Sequence, residues 1–371
     1  MTLGVGIIGP GYIGRAHLRA FRTHPGVSVV AIAARSRETA ECVGEEFGIA
    51  RRYSDYRGLL ALPEIHAVSI CTPVGTHAEI TLAAARAGKH VMCEKPMATT
   101  YADAEGMVAA CARADVRLSV LSGRARSGLY PLSADVAVAR ALVPRLGDLY
   151  YARVSGPWRF RGRPGIDILP DSRWFLDARL AGGGVLCDLG CFAIDLLLYL
   201  AGDPQPVAVS GATFRGIGDQ PSGVRYDVEE HASLFVRFES GLVASFEMAN
   251  ASHVERDDSF SLLLCGSRGA LELRGVPFTP GISVSLAVES RERRVITGDD
   301  IRDQPGMERC TWDLPQPPRT MFEDFVSACE GGRAPLASGD AGLKVMRILS
   351  MAYLSASRGH EAGIDDLAGR R

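Results

Sequence analysis

The first third of the chain alternates short apolar runs with stretches whose apolar residues recur at helical spacing. The runs are Gly4–Ile8, Val27–Ala33, Ala67–Cys71, His90–Cys93 and Arg117–Leu121. Each is short, mostly rich in Val and Ile, and bounded by Gly, Pro or polar residues, as expected of strands buried on both faces of a parallel sheet. Between them, Tyr12–Thr23, Arg37–Phe47, Thr76–Ala87 and Thr99–Ala114 carry helical patterns. Repeated β-α-β units predict a doubly wound α/β sheet with right-handed crossovers.

The rhythm changes after about Gly123. A helical stretch (Leu132–Val143) leads to a strand-like run, Leu149–Val154, then to a polar, arginine-rich segment from Ser155 to Arg179 and a helix over Val185–Leu200. Strands then follow closely at Val207–Thr213, His231–Phe238, Leu242–Met248, Ser259–Cys265, Ala270–Leu273 and Ile282–Val288, with a hairpin signal at Ser240-Gly241. Strands without intervening helices predict an open, mostly antiparallel sheet. Helices near Arg319–Glu330 and Asp340–Ser357 close the chain. The expected division is a doubly wound domain over 1–123 and a second α/β domain over 124–371.

Composition adds exclusions. A chain of 371 residues exceeds what one core usually organises, so two domains fit its length. A net charge of −2 provides no basic field for nucleic acid or an anionic membrane. The most apolar stretch, Val185–Ala201, is short and carries glycine and aspartate, which argues against a membrane span. The opening residues lack the pattern of a secretory leader, and nine scattered cysteines form no Cys-x-x-Cys. A cytoplasmic protein with free thiols is expected. Cys187 and Cys191 alone do not make a metal site.

Gly9-Pro10-Gly11-Tyr12-Ile13-Gly14 follows a strand and opens a helix, the context that gives G-x-G-x-x-G its meaning as a dinucleotide loop. Gly9 permits the tight turn, Gly11 the approach of a pyrophosphate, and Gly14 close packing of helix on strand. The helix N-terminus offers free N–H groups to phosphate. An NAD site usually places a carboxylate some 20 residues beyond the glycines to hold the ribose hydroxyls. Here that stretch reads Ala34-Arg35-Ser36-Arg37. Guanidinium groups and a hydroxyl favour a 2′-phosphate, hence NADP over NAD.

Cys71-Thr72-Pro73-Val74-Gly75-Thr76-His77 and Cys93-Glu94-Lys95-Pro96 stand after the next two apolar runs. With the glycine loop, Trp174-Phe175, Gly182-Gly183-Gly184, Asp188-x-Gly190, Asp195 and the ending Asp324-Phe325…Gly331-Gly332-Arg333-x-Pro335, the chain resembles the Gfo/Idh/MocA oxidoreductases over nearly its whole length. The resemblance implies a Rossmann domain, a second domain whose open sheet often joins subunits into homodimers or homotetramers, and a substrate cleft between the two. It places Lys95 beside the nicotinamide and the reacting oxygen of a sugar-like alcohol. Thr72, Pro73, His77 and Glu94 fall around the cofactor, with Glu94 orienting Lys95 or touching the ribose.

Hydride transfer builds alkoxide character on an oxygen, and a partly desolvated lysine can have its pKa lowered enough to exchange the proton. Asp188 is the expected second catalytic group. Many relatives read D-x-G-x-H-x-x-D on this helix and others have tyrosine in the histidine slot, whereas here Phe192 stands there, able neither to donate nor to accept. Arg124, Arg126, Arg163, Trp174 and Phe192 are the substrate candidates, and the arginine–aromatic mix from Arg153 to Arg179 would suit an acidic or nucleotide-linked sugar. Two other readings stay open: a retained nicotinamide used for transient redox in elimination, epimerisation or glycoside cleavage, and a non-catalytic NADP-binding regulator.

Overall fold

A computed structural model describes residues 2–121, 123–124, 134–218, 220–254, 259–275, 283–288, 307–308 and 320–368. Six parallel strands form the first sheet: β1 (Leu3–Ile8), β2 (Val27–Ala33), β3 (Arg51–Tyr53), β4 (Ala67–Ile70), β5 (His90–Cys93) and β6 (Leu118–Val120), in the order β3-β2-β1-β4-β5-β6. The order reverses between β1 and β4, the crevice in which doubly wound sheets bind ligands. Helices α1 (Tyr12–Arg22) and α2 (Arg37–Glu46) cover one face, and α3 (Tyr56–Leu60), α4 (His77–Arg86) and α5 (Tyr101–Arg113) the other. Sequence periodicity does not reveal β3 and α3. They are three and five residues long, and β3 opens with two arginines, a polar composition that suits an edge strand.

Helix α6 (Ala134–Leu142) leads to the second sheet, built on β7 (Leu149–Trp158). A short helix, α7 (Ala178–Ala181), and a π-helical turn at Leu186–Gly190 precede α8 (Cys191–Leu200). The remaining strands are β8 (Pro206–Phe214), β9 (His231–Phe238), β10 (Val243–Ala249), β11 (Ser259–Gly266), β12 (Gly269–Gly275), β13 (Ser283–Val288), β14 (Met307–Glu308) and β15 (Ala362–Gly363). Their order is β14-β13-β12-β11-β7-β10-β9-β8-β15, antiparallel throughout except for the β7–β10 pair. Alternate residues such as Val154, Val236, Phe246, Leu264 and Leu273 are fully buried on one face, the period-2 pattern of a sheet with one packed side.

Helix α9 (Met321–Gly331), although late in the chain, packs on the first sheet: Phe322 and Phe325 join Val5, Ile7, Leu18 and Phe21 in one core. Full burial of each phenylalanine contributes about 1.5–3 kcal/mol, enough to hold α9 there. Helix α10 (Gly339–Arg358) packs against α5 and β6 on one side and β8 on the other. One hydrophobic cluster therefore runs from Ile8 and Val68 through Leu197 and Leu349 to Phe246. The stretch Ala178–Leu200 is long and apolar enough to cross a membrane, yet 83% of its apolar window is buried inside the protein. It behaves as a core helix.

Candidate active site

The loops after β1, β4 and β5 meet at the C-terminal edge of the first sheet. Gly9 has φ +86, and a Cβ there would stand 2.8 Å from the Cys71 backbone, so turn and close approach both demand glycine. A Cβ at Gly14 would overlap the Gly9 carbonyl oxygen, whereas one at Gly11 meets nothing within 4 Å. Gly11 caps α1 without a side-chain acceptor, and the first turn carries no acidic residue. The orphan amides of that turn have no side-chain cap and the space beside Gly11 is open, which fits an anionic pyrophosphate. Tyr12 is 68% exposed beside it and Ile13 half-buried.

After β2 the backbone passes through Ala34 to exposed Arg35, Ser36 and Arg37. Ser36 caps α2 by accepting from the Thr39 amide at 3.3 Å, so its hydroxyl already has a task. Arg37 reaches Glu41 at 3.9 Å. Arg35 has no side-chain partner among the described residues.

Thr72 and Pro73 are tied locally by the Thr76 hydroxyl, at 2.7 and 2.8 Å. His77 is fully buried, with Nδ1 at 3.1 Å from the Pro96 carbonyl oxygen and Nε2 at 2.8 Å from that of Thr72. Burial pushes its imidazole down despite these two acceptors. His77 thus bridges the loops after β4 and β5.

A buried relay lies beneath the glycine loop. His17 contacts the Ser69 hydroxyl through Nδ1 at 2.8 Å and Glu94 Oε1 through Nε2 at 2.8 Å. Glu94 Oε2 accepts from the Lys95 amide at 3.0 Å. Burial pushes the His17 imidazole down, but the Cys71 sulfur and the Glu94 carboxylate outweigh it and raise its pKa to about 10. Burial likewise pushes the Glu94 carboxyl up, and His17 and Lys95 reverse this to a net lowering. The pair is an imidazolium–carboxylate ion pair, sealed by Phe322 of α9, whose ring meets that of His17 edge-on at 4.9 Å. His17 is missed by motif reading. Its signal is a polar residue on the inward face of α1, three positions after Gly14.

The Lys95–Pro96 peptide is cis. Lys95 Nζ donates to the Asp188 carbonyl at 2.7 Å and to Asp188 Oδ1 at 2.5 Å, and lies 4.9 Å from the centroid of the Phe192 ring. Desolvation lowers the lysine pKa, as the sequence suggests. Asp188 more than cancels it, and the net shift is upward. The expectation of a lowered pKa is thereby corrected: a bound carboxylate within hydrogen-bonding distance dominates over partial burial. Lys95 is an ammonium in this state.

Asp188 sits in the π-helical turn before α8, a distortion frequent at functional sites. Buried Glu229 secures that turn by accepting from the Gly184 and Leu186 amides at 2.8 and 3.0 Å and from the Tyr353 hydroxyl at 2.9 Å. Asp188 also lines a small cavity with Arg163, Phe175, Gly183, Gly184, Tyr226 and Asn250.

Of the substrate candidates, Arg163 reaches this cavity. Trp174 does not line it. It stacks on Phe175 with centroids 3.8 Å apart, and Phe175 is the lining ring. Phe192 packs against Lys95. Arg124 is 3% exposed at its side chain and is clasped by Asp195 and Asp203, with Nε to Asp195 Oδ1 at 2.8 Å and Nη1 to Asp203 Oδ2 at 2.9 Å. Its donors are committed to a structural tie, which corrects the substrate expectation. Arg126 lies outside the described residues.

Comparison with known proteins places this geometry in a lineage. The family model described as "Oxidoreductase family, NAD-binding Rossmann fold" matches residues 3–122, and the "GFO/IDH/MocA C-terminal domain" matches residues 138–272. Levoglucosan dehydrogenase of Pseudarthrobacter phenanthrenivorans is 30% identical over 73% of this chain and 73% of its own. D-Apiose dehydrogenase of Paraburkholderia graminis is 29% identical over 97% of this chain and 89% of its own. The solved structure of levoglucosan dehydrogenase with NADH superposes with a TM-score of 0.81 at 25% identity, covering 98% of this chain and 99% of that one. A nucleotide-ready glycine loop, a lysine–aspartate pair beside a cavity and these likenesses agree: the chain belongs to the Gfo/Idh/MocA family of oxidoreductases.

Proposed function

We propose that the protein is an NAD(P)-dependent dehydrogenase or reductase, moving a hydride to or from a CH–OH carbon of a sugar, cyclitol or sugar-derived keto compound. Lys95 is its acid/base, and NADP is the favoured cofactor over NAD. The observation that carries this reading is the Lys95 ammonium, just after β5, held on Asp188, which in turn lines the cavity. The names of the relatives, levoglucosan and D-apiose dehydrogenase, support a sugar-like substrate.

The nicotinamide, when bound, supplies or takes up the hydride. Gly11 and the first-turn amides of α1 hold the pyrophosphate, and Arg35, whose guanidinium has no partner among the described residues, meets the 2′-phosphate. In reduction Lys95 Nζ gives its proton to the oxygen that gains charge, and Asp188 keeps the ammonium charged until then. In oxidation Lys95 must first shed that proton, to Asp188 or to water. Phe192 takes no part in proton transfer and leaves it to this pair.

The outward face of the second sheet carries half-buried Phe235, Val243 and Leu263, which supports a homodimer or homotetramer formed through that sheet. Eight free cysteines among the described residues support a reducing, cytoplasmic setting. Neither nucleic acid nor a membrane is proposed as a partner.

The test is titration of purified, cofactor-stripped protein with NADPH and NADH, then a keto-sugar panel followed at the absorbance of the reduced nicotinamide. Turnover abolished by Lys95→Ala is the expected result. Failure to bind either nucleotide would overturn the reading.

A further inference from the structure

Among the described residues, the cavity beside Asp188 is lined by charges that already have partners and by one amide whose oxygen has none. Arg163 is closed by Asp167, with Nε to Oδ2 at 2.8 Å and Nη2 to Oδ1 at 3.2 Å. Asp188 is closed by Lys95. The Tyr226 hydroxyl donates to Glu230 Oε1 at 2.5 Å. Asn250 follows β10 and is 4% exposed. Its backbone is pinned on both sides, its amide to the Glu230 carbonyl at 3.0 Å and its carbonyl from the Gly162 amide at 2.9 Å. Yet its side-chain Oδ1 is buried without a hydrogen-bond partner among the described residues, although buried polar groups in folded proteins are nearly always satisfied.

A side-chain amide both donates and accepts, as does an alcohol. A carboxylate or phosphate instead seeks an uncompensated cation, Arg above all. Here the lining guanidinium is held in a fork by Asp167, and the Lys95 ammonium by Asp188. An added anion would stand beside the Asp188 carboxylate with no cation left over among the described lining residues. This points away from the acidic or nucleotide-linked sugar suggested by the arginine-rich segment.

We propose that Asn250 is a specificity-determining residue whose amide reads a substrate hydroxyl, and that the cavity selects neutral polyols, aldose or cyclitol, over matched uronic acids and nucleotide-linked sugars. The inference deepens the oxidoreductase reading and rests on it for the chemistry, but binding tests it independently. The probes are D-glucose, D-galactose, D-xylose and myo-inositol against D-glucuronate, D-galacturonate and UDP-glucuronate. Binding to the cofactor-loaded protein is read by saturation-transfer NMR, and turnover by nicotinamide absorbance.

The expected result is at least a tenfold preference for the neutral members. Asn250→Ala and the near-isosteric Asn250→Asp raise KM for them at least tenfold, with a smaller change in kcat and unchanged nucleotide affinity as the control for folding. Asp167→Asn, which releases the Arg163 charge, narrows the gap. Uronic acids bound as tightly as their neutral partners by the wild type, no neutral sugar bound at all, or an unmoved KM in correctly folded Asn250 variants would each overturn the inference. Neutral sugars bound with the expected preference but turned over with neither cofactor would overturn the oxidoreductase reading alone.

Discussion

The Lys95 ammonium lies 4.9 Å from the centroid of the Phe192 ring, while its protons reach Asp188. In the resembling family that helix position often carries histidine or tyrosine. Phenylalanine there replaces a proton carrier with a ring face that stabilises a cation, typically by about 0.5–2 kcal/mol. Lys95→Met is expected to lower kcat by about 10²–10⁴-fold with nucleotide affinity retained. Phe192→Leu should cost no more than about 30-fold, the factor that corresponds to the cation–π range. A Lys95→Met variant with wild-type kcat in steady-state assays would remove Lys95 from the mechanism.

The same pairing sets a pH dependence. Asp188 holds Lys95 above the ordinary lysine value, so the ammonium persists across the neutral range and only begins to deprotonate in strong alkali. Reduction, which uses the ammonium, should be flat from about pH 6 to 9. Oxidation, which needs the neutral amine, should rise with pH over that window. The check is a pH–rate profile in both directions, and an oxidation rate that falls with pH would contradict the assignment.

The His17–Glu94 pair makes a prediction about stability. The folded His17 pKa of about 10 lies above the unfolded 6.5, so its contribution is complete below pH 6.5 and lost as pH rises towards 10. The lowered Glu94 pKa adds stability that is present above its unfolded value and lost in acid. Thermal unfolding of the wild type should therefore show a melting temperature that declines between about pH 7 and 10. His17→Gln should flatten this decline. His17→Ala, which deprives buried Glu94 of its imidazolium partner, should cost about 3–5 kcal/mol in denaturant melts.

The proposed preference for NADP rests on Arg35, exposed after β2 and without a side-chain partner among the described residues. Arg35→Glu is expected to weaken NADPH by tenfold or more and to leave NADH within about threefold, because only the former carries the 2′-phosphate. Fluorescence titration at two salt concentrations reads this directly. Equal loss for both nucleotides would mean that Arg35 does not address the 2′ position.

The glycine loop separates folding from binding. Gly14→Ala forces a Cβ into the Gly9 carbonyl and should destabilise the protein by about 1–3 kcal/mol. Gly11→Ala meets nothing within 4 Å, so its melting temperature should hold while nucleotide affinity falls at least tenfold. If Gly11→Ala binds nucleotide normally, the pyrophosphate does not lie over this turn.

Much of the architecture is legible because it is encoded locally. A period-2 pattern, a period-3.6 pattern and a glycine loop each act within a few residues of themselves, so most strands of both sheets and the nucleotide turn stand in the primary structure. The Glu94-Lys95-Pro96 tripeptide marks its site for the same reason. Edge strand β3 escaped because two arginines and a tyrosine are too few to carry a period. The destination of α9 escaped because the core it joins is distant in the chain.

What the sequence by itself determined is therefore the doubly wound domain, the antiparallel second domain, the phosphate-ready turn and the lysine. Tertiary structure alone decided how those groups are charged and partnered. Lys95 meets Asp188 across 93 positions, and His17 meets Glu94 across 77. Arg124 is tied to Asp195, 71 positions away, and the Asn250 side-chain oxygen is left without a partner among the described residues. The sign of a pKa shift and the freedom of a hydrogen-bonding group depend on what lies within a few ångströms in space, and spacing along a chain does not state that.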